Sequence, residues 1–348
     1  MFKNLKDFSV ANKRILVRCD FNVPLDKKGD ILDDFRIRKS LPTIEYLIEN
    51  KAKIVLMSHL DPESAGVADK KYTMDEVAKK LSENLGFPVH KQDDCIGPVV
   101  EMAVQNLKSG EVLLLENLRF YKQETENNRE FSQQLASLGD VYVNDAFSVC
   151  HRDHASISGI TEFLTGSVGL LLESEISALN KIMNNPAKPM VALVGGTKVK
   201  TKSKFINKIS EQADVVIVSG LIKKEIEEQS IQFNEPEKII GPSGELGAPD
   251  INDESIEVFK KEILKAKTIL WNGPFGKFEE KEYEKGTLAI ANAIIDSGAF
   301  SVVGGGETVE FLAKQGIIEK FSHVSTGGGA MLSYLAGERL PGLEALKQ

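Results

Sequence analysis

Three short β-branched runs in this chain each break at glycine and continue into a helix-like segment. Val302-Val303-Gly304-Gly305-Gly306-Glu307-Thr308 and Val324-Ser325-Thr326-Gly327-Gly328-Gly329-Ala330 hold three glycines at the break. Val191-Ala192-Leu193-Val194-Gly195-Gly196-Thr197-Lys198 repeats the plan with a lysine. A single junction of this kind says little, because a tight turn from strand to helix uses glycine for backbone reasons alone. Three in one region restrict that region to strand–turn–helix units, which few architectures accommodate. Each also leaves helix N-terminal amides open and lets backbone come close to a ligand, as phosphate oxygens require. The sequence therefore predicts phosphate handling.

The alternation extends along the whole chain. Strand candidates are 14–17, 53–57, 111–115 and 140–143, then 190–194, 214–218, 268–270, 301–303 and 323–325. Helix-like stretches separate them, and Thr73-Met74-Asp75-Glu76 carries a capping-box signature before a run that stops at Gly86. Such alternation predicts an α/β fold of two doubly wound, parallel-sheet, Rossmann-like domains. A length of 348 residues, long for one core, agrees with two. The stretch 170–183, apolar at Leu171, Ile176, Leu179 and Ile182, predicts one long helix between them, acting as hinge or strut. The expected division is 1–169, a joining helix at 170–185, 186–330, and a closing segment 331–348 that returns to the first domain.

Composition narrows the function classes. A formal charge of −8 argues against a general nucleic-acid binder, so any anion site has to be built locally against the overall field. Cys19, Cys95 and Cys150 are few and widely spaced, which suits a reducing compartment without a disulfide framework. No apolar run reaches the ~18 residues of a membrane span, and the first residues lack the apolar stretch of a signal peptide, so the expected location is the cytoplasm.

The residues just past each strand candidate differ between the halves. In the first they are Arg18, Asp20 and Asn22, then Ser58-His59, Asn117 and Arg119, and Asn144-Asp145 leading to His151-Arg152 and His154. Ligands of open parallel sheets sit at the carboxyl ends of the strands. One half thus offers a basic rim for a small anion, and the other a glycine-rich rim for a polyphosphate. Two such rims facing a cleft describe a kinase that closes over two substrates.

Several longer motifs stand in one order: Arg18-Cys19-Asp20-Phe21-Asn22-Val23-Pro24, Arg36-Ile37-Arg38 followed by Leu41-Pro42-Thr43-Ile44, and Leu115-Glu116-Asn117-Leu118-Arg119-Phe120. Asn144-Asp145-Ala146-Phe147 with His151-Arg152 and His154, Trp271-Asn272-Gly273-Pro274 and the two triple glycines follow. In this order they resemble the phosphoglycerate kinase family along nearly the whole chain. The resemblance implies reversible phosphoryl transfer between 1,3-bisphosphoglycerate and ADP, giving 3-phosphoglycerate and ATP, with Mg2+, by in-line transfer in a closed interdomain cleft. It implies small-molecule substrates, a monomer, and no nucleic-acid or membrane partner.

Carried over by position, the resemblance makes Arg36, Lys198 and Gly328 the catalytic set. Arg18, Asp20, Asn22, Arg36, His59, Arg119 and Arg152 would hold the phosphoglycerate, with His151 and His154 as weaker candidates. Gly195, Gly196, Lys198, Lys202, Gly220, Asn272, Glu279, Gly305, Gly306, Glu307 and Thr308 would hold the nucleotide, and Glu307 would approach the metal. Lys204 and Lys208 are expected on a solvated helix face, and His90 and His323 carry no resemblance. A metal site over His151-Arg152-Asp153-His154 is the competing reading of those residues, but no histidine or cysteine pair elsewhere completes it.

The chain also departs from the family pattern. Leu60-Asp61-Pro62-Glu63 stands where Leu-Gly-Arg-Pro is usual, removing an arginine of the basic patch unless Lys70 or Lys71 compensates. Ser148 replaces a glycine, and Glu307 replaces an aspartate. Several tens of residues are missing around 221–248, and Lys277 takes the place of an apolar residue against the base. A second reading follows from these changes: a degenerate relative that binds phosphates or a partner protein without turnover. Another acyl-phosphate kinase would need a changed acid site, against the retained Asp20, Asn22 and Arg119.

Overall fold

A computed structural model describes residues 2–60, 66–197 and 199–347. Two compact units divide the chain: one runs to Ser174 and takes in the residues from Arg339 onward, and the other is Glu175–Glu338.

The first unit is built on strands β1 (Arg14–Arg18), β2 (Lys53–Met57), β3 (His90–Lys91), β4 (Val112–Leu114), β5 (Val141–Asn144) and β6 (Gly166–Val168). They form one all-parallel sheet in the order β3-β4-β2-β1-β5-β6. Ile15, Leu16, Val17, Ile54, Val55 and Leu56 are fully buried, so consecutive residues of both central strands are apolar. That is the pattern of a sheet covered on both faces, and each such side chain contributes roughly 1.5–3 kcal/mol. Register pairs Arg18 with Met57 on one side and with Asn144 on the other, which brings the carboxyl ends of β1, β2 and β5 level. Helix Phe35–Glu49 lays Phe35, Ile37, Ile44 and Leu47 into the core and leaves Arg36 at its first turn. Of the last residues, those from Arg339 onward pack here, with Leu340, Leu343 and Leu346 buried and the Gly342 N–H on the Cys150 carbonyl at 2.9 Å, while 331–338 belong to the second unit.

The second unit holds β7 (Met190–Val194), β8 (Val215–Val218), β9 (Ile239–Ile240), β10 (Thr268–Asn272), β11 (Phe300–Gly304) and β12 (His323–Val324). This sheet is also all parallel, in the order β12-β11-β10-β7-β8-β9. Asn272 pairs with Val194 and with Gly304, so the loops after β7, β10 and β11 leave from one rim.

Helix Leu170–Met183 runs across the division between Ser174 and Glu175. Its first turn is held from the first unit: Asp145 Oδ1 accepts the Leu171 and Leu172 amides at 2.9 and 3.2 Å, and Thr43 Oγ1 accepts the Leu170 amide at 3.0 Å. A carboxylate there satisfies amides that have no intrahelical partner.

Three strands were absent from the sequence expectation: β3, β6 and β9. Each has two or three residues at or beside a sheet edge, too short for a periodicity to register. The capping box at Thr73 does not form. The helix begins at Asp75, Thr73 Oγ1 donates to Asp75 Oδ2 at 2.7 Å, and the Met74 amide goes to Glu116 Oε1 at 2.8 Å. A buried carboxylate from the loop after β4 has replaced the local cap.

Candidate active site

In the first unit the basic residues converge on His59. Burial lowers the pKa of His59 well below its usual value, and the Arg18, Arg119, Arg152 and Arg36 charges lower it further. The imidazole is therefore neutral at pH 7 and acts through hydrogen bonds. His154 is lowered to about 3, first by burial and then by Arg119, Arg18 and Arg152, with Asp153 opposing. His151 is lowered by burial and by Arg152.

Arg18, expected on the face of this rim, lies beneath it. It is fully buried, with Nε donating to Ser156 Oγ at 2.8 Å, Nη1 to the Cys19 carbonyl and Nη2 meeting His59 Nδ1 at 3.2 Å. Ser156 in turn donates its hydroxyl and its amide to the buried Glu124 at 2.6 and 2.9 Å. Arg18 thus fixes the ring of His59 and is itself fixed; it is the last residue of β1, and its side chain projects into the covered interior. Glu124 and Ser156 carry no local sequence signal that would have found them.

Asp20 receives Arg36 and Ser148 on one oxygen, and its other oxygen accepts the Asn22 amide at 3.0 Å. Asp20 is buried while Arg36 is partly open, so the pair has one face toward solvent. The serine at 148, where the resemblance leads one to expect a glycine, therefore adds a hydroxyl to the carboxylate. Asn117 is fully buried and clamps its surroundings. Its Nδ2 donates to the Leu60 and Tyr72 carbonyls at 2.9 Å each, and its Oδ1 accepts the amides of Arg119 at 2.9 Å and Leu60 at 3.2 Å. The departure at Asp61-Pro62-Glu63 lies outside the described residues. Beside Leu60, Lys71 lines a cavity of about 200 Å³ together with Asn22 and Tyr72.

The glycine rim of the second unit borders a cavity of about 640 Å³. Gly196, Gly220, Glu279 and Glu307 line it, as do the apolar Leu221, Pro242, Ala248, Pro249 and Phe275. Lys202 is buried, its ammonium donates to the Gly195 carbonyl, and burial lowers its pKa against the raising influence of Glu307. Lys198, the other lysine of this motif, lies outside the described residues. Lys204 and Lys208 are surface residues paired with Glu338 and Glu211.

The glycines divide into two kinds. The amides of Gly195 and Gly196 are not open, contrary to the sequence expectation; they donate to the carbonyls of Asn272 at 2.8 Å and Pro274 at 2.9 Å. A Cβ at Gly195 would strike the Gly273 and Pro274 carbonyls, so glycine is required for two loops to cross. Gly305 has a φ of 98°, and Gly306 and Glu307 follow in the first turn of helix Gly306–Lys314, where amides lack intrahelical partners. Gly328 occupies the equivalent place before helix Gly329–Leu335. Thr308 is fully buried and its hydroxyl accepts the Gly273 amide at 3.0 Å, so it faces the loop rather than the cavity. Asn272, also buried, stands beside Gly305. Lys277 does not carry its charge into the cavity; the ammonium pairs with Glu280 at the surface.

Among the described residues no group of three His, Cys, Asp or Glu side chains could hold a metal, and no helix is long and apolar enough to cross a membrane. Glu307 is a single carboxylate at a helix N-terminus beside Lys202. That donor set fits Mg2+ delivered with nucleotide phosphates, since the ion takes one or two carboxylates and keeps water.

The phosphoglycerate kinase family model matches residues 5–226 and 222–338. The phosphoglycerate kinase of Coprothermobacter proteolyticus is 39% identical over 389 aligned positions, covering 99% of this chain and 98% of the relative. That of Dictyoglomus turgidum is 41% identical over 391, with the same coverage of both. Among solved structures, phosphoglycerate kinase from Pyrococcus horikoshii superposes with a TM-score of 0.88 at 33% identity, covering 99% of this chain and 98% of that one. The aligned positions outnumber the 348 residues by several tens, and the family match restarts at 222–226. The shortening therefore falls at the edge of the cavity that residues 242–252 help to line.

Proposed function

Because the chain belongs to the phosphoglycerate kinase family, we propose that it transfers a phosphoryl group reversibly between 1,3-bisphosphoglycerate and ADP, giving 3-phosphoglycerate and ATP. The observation that carries the reading is the convergence of Arg18, Arg119, Arg152 and Arg36 on a neutral, buried His59. A degenerate phosphate binder has no need of that set together with Asp20 and Asn22.

In the direction of ATP use the nucleophile is a carboxylate, ionised at neutral pH, so no general base is required. The need is for positive charge and amide donors around the equatorial oxygens of the transferring group. In this reading Asp20 and Asn22 hold the glycerate hydroxyl region, and His59, Arg119 and Arg152 hold its phosphate. Arg18 orients His59 from below. Arg36, partly open and steadied by Asp20, meets the transferring phosphoryl, and Lys198 and the amides around Gly328 complete its surroundings. Lys202, Glu279 and the loops at 195–197 and 305–307 take the nucleotide. Glu307 would hold Mg2+, which supplies neutralisation of phosphate charge. Water exclusion by closure of the two substrate-bearing units belongs to the same proposal, as does action as a cytoplasmic monomer.

The test is a coupled assay with 3-phosphoglycerate, ATP and Mg2+. Turnover dependent on all three is expected, and its absence from a folded preparation would overturn the reading.

A further inference from the structure

Lys91, on the two-residue edge strand β3, meets three carboxylates, of which one is buried. Its ammonium lies 2.7 Å from Glu116 Oε2, 3.0 Å from Asp93 and 3.1 Å from Asp75. The three partners are unequal. Glu116 is almost wholly buried, whereas Asp75 is largely exposed and Asp93 almost completely so. Exposed pairs contribute little, so the contact that matters is with Glu116. Burial alone would lower the pKa of Lys91, but the carboxylates outweigh it and raise it, so the cation is permanent near neutral pH.

Glu116 is where this cation meets the site. Its Oε1 accepts two amides, those of Met74 and Asn117, both at 2.8 Å, while Oε2 faces Lys91. Asn117 then holds the Arg119 amide and both backbone groups of Leu60, the residue after His59. The path from Lys91 to the basic rim is thus two residues long and made of buried, directional bonds. Without the cation, a buried carboxylate keeps only amide donors and gains by shifting toward water, which draws the Asn117 backbone with it.

We infer that Lys91 is a positioning residue for the basic rim, holding Glu116 so that Asn117 sets the places of Arg119 and His59. The inference rests on the proposed reaction, since it assigns these two residues to the phosphate of phosphoglycerate. It also gives the edge strand β3 a task beyond closing the sheet.

Lys91→Met keeps the aliphatic stem and removes the charge; Lys91→Arg restores a cation; Asp93→Asn removes an exposed partner only. For Lys91→Met, KM for 3-phosphoglycerate should rise about tenfold, the scale of one charge-assisted hydrogen bond, while KM for ATP stays within about twofold. Lys91→Arg should recover most of the loss, and Asp93→Asn should match the parent protein. Calorimetric titration with 3-phosphoglycerate reads the same site without turnover, so failure of the reaction and failure of the inference are distinguishable. An unchanged 3-phosphoglycerate affinity in folded Lys91→Met, or equal losses for both substrates, would overturn it.

Discussion

Glu175 Oε1 accepts both the amide of Thr326, at 2.6 Å, and its hydroxyl, at 2.9 Å, while Oε2 meets His323 Nε2 at 2.8 Å. Glu175 is fully buried on helix Leu170–Met183, and Thr326 opens the last triple glycine, so one side chain ties that helix to the loop carrying Gly328. Glu175→Gln removes the charge from three hydrogen bonds. We expect a loss of about 1.5–3 kcal/mol in urea unfolding, with a fall in kcat, because the Gly328 loop loses its anchor. Unchanged stability and turnover would mean that the loop is set by its backbone alone.

Arg36→Ala should lower kcat by about 10³-fold, the scale of a transition-state arginine, and leave the KM for ATP nearly unchanged. The arginine is on the first turn of its helix, partly open, and aimed by Asp20. Steady-state kinetics decide the matter: a loss below about tenfold removes Arg36 from the transferring group.

Stability should fall as pH drops below neutrality. His59, His151 and His154 all have folded pKa values below their unfolded values, so the unfolded chain binds more protons in the window between them. Their contribution is complete above the unfolded pKa near 6.5 and is lost progressively toward the folded values, about 3 for His154. Each adds a slope of up to about 1.4 kcal/mol per pH unit. Urea midpoints between pH 7 and pH 4 should show the decline, and His154→Gln should reduce its slope. A flat profile in the parent protein would contradict the neutral, buried imidazoles.

Choice of nucleotide base should be loose. The cavity offers flat apolar surfaces at Leu221, Pro242, Ala248, Pro249 and Phe275. Three of its polar side chains are engaged elsewhere: Asn252 with the Ser243 carbonyl, Asp250 with the Gly286 and Ile251 amides, and Lys277 with Glu280. Faces hold a base without reading its edge, so ATP and GTP should differ in kcat/KM by no more than about tenfold. A preference for ATP above about a hundredfold would show that the shortened segment builds a selective edge.

Phosphoglycerate affinity should depend on Lys71. It lines the small cavity beside Leu60 and Asn22, and the sequence lacks the arginine that the resemblance leads one to expect after His59. Lys71→Ala should raise KM for 3-phosphoglycerate about tenfold, and an effect within about twofold would remove it from the site.

Local sequence determined much of this protein. Alternating apolar runs and glycine breaks specify βα units wherever they occur, and parallel sheets follow because consecutive strands separated by helices must run the same way. The residues at strand ends, Asp20, Asn22, His59 and Arg119 among them, were legible because a parallel sheet collects strand ends at one rim. The tertiary structure decided what those residues meet. Arg18 and Arg36 look alike in sequence, yet register buries the first under His59 and leaves the second partly open beside Asp20. Gly195 and Gly306 both follow a strand in the sequence, but only the second stands with its amide in a helix's first turn, because the loops after β7 and β10 cross at Gly195. Glu124, Ser156, Glu175 and Lys91 gave no local signal. Their partners lie tens of residues or more away, or across a strand too short to show a period, and a buried charge acquires its role only when the chain brings its partner to it.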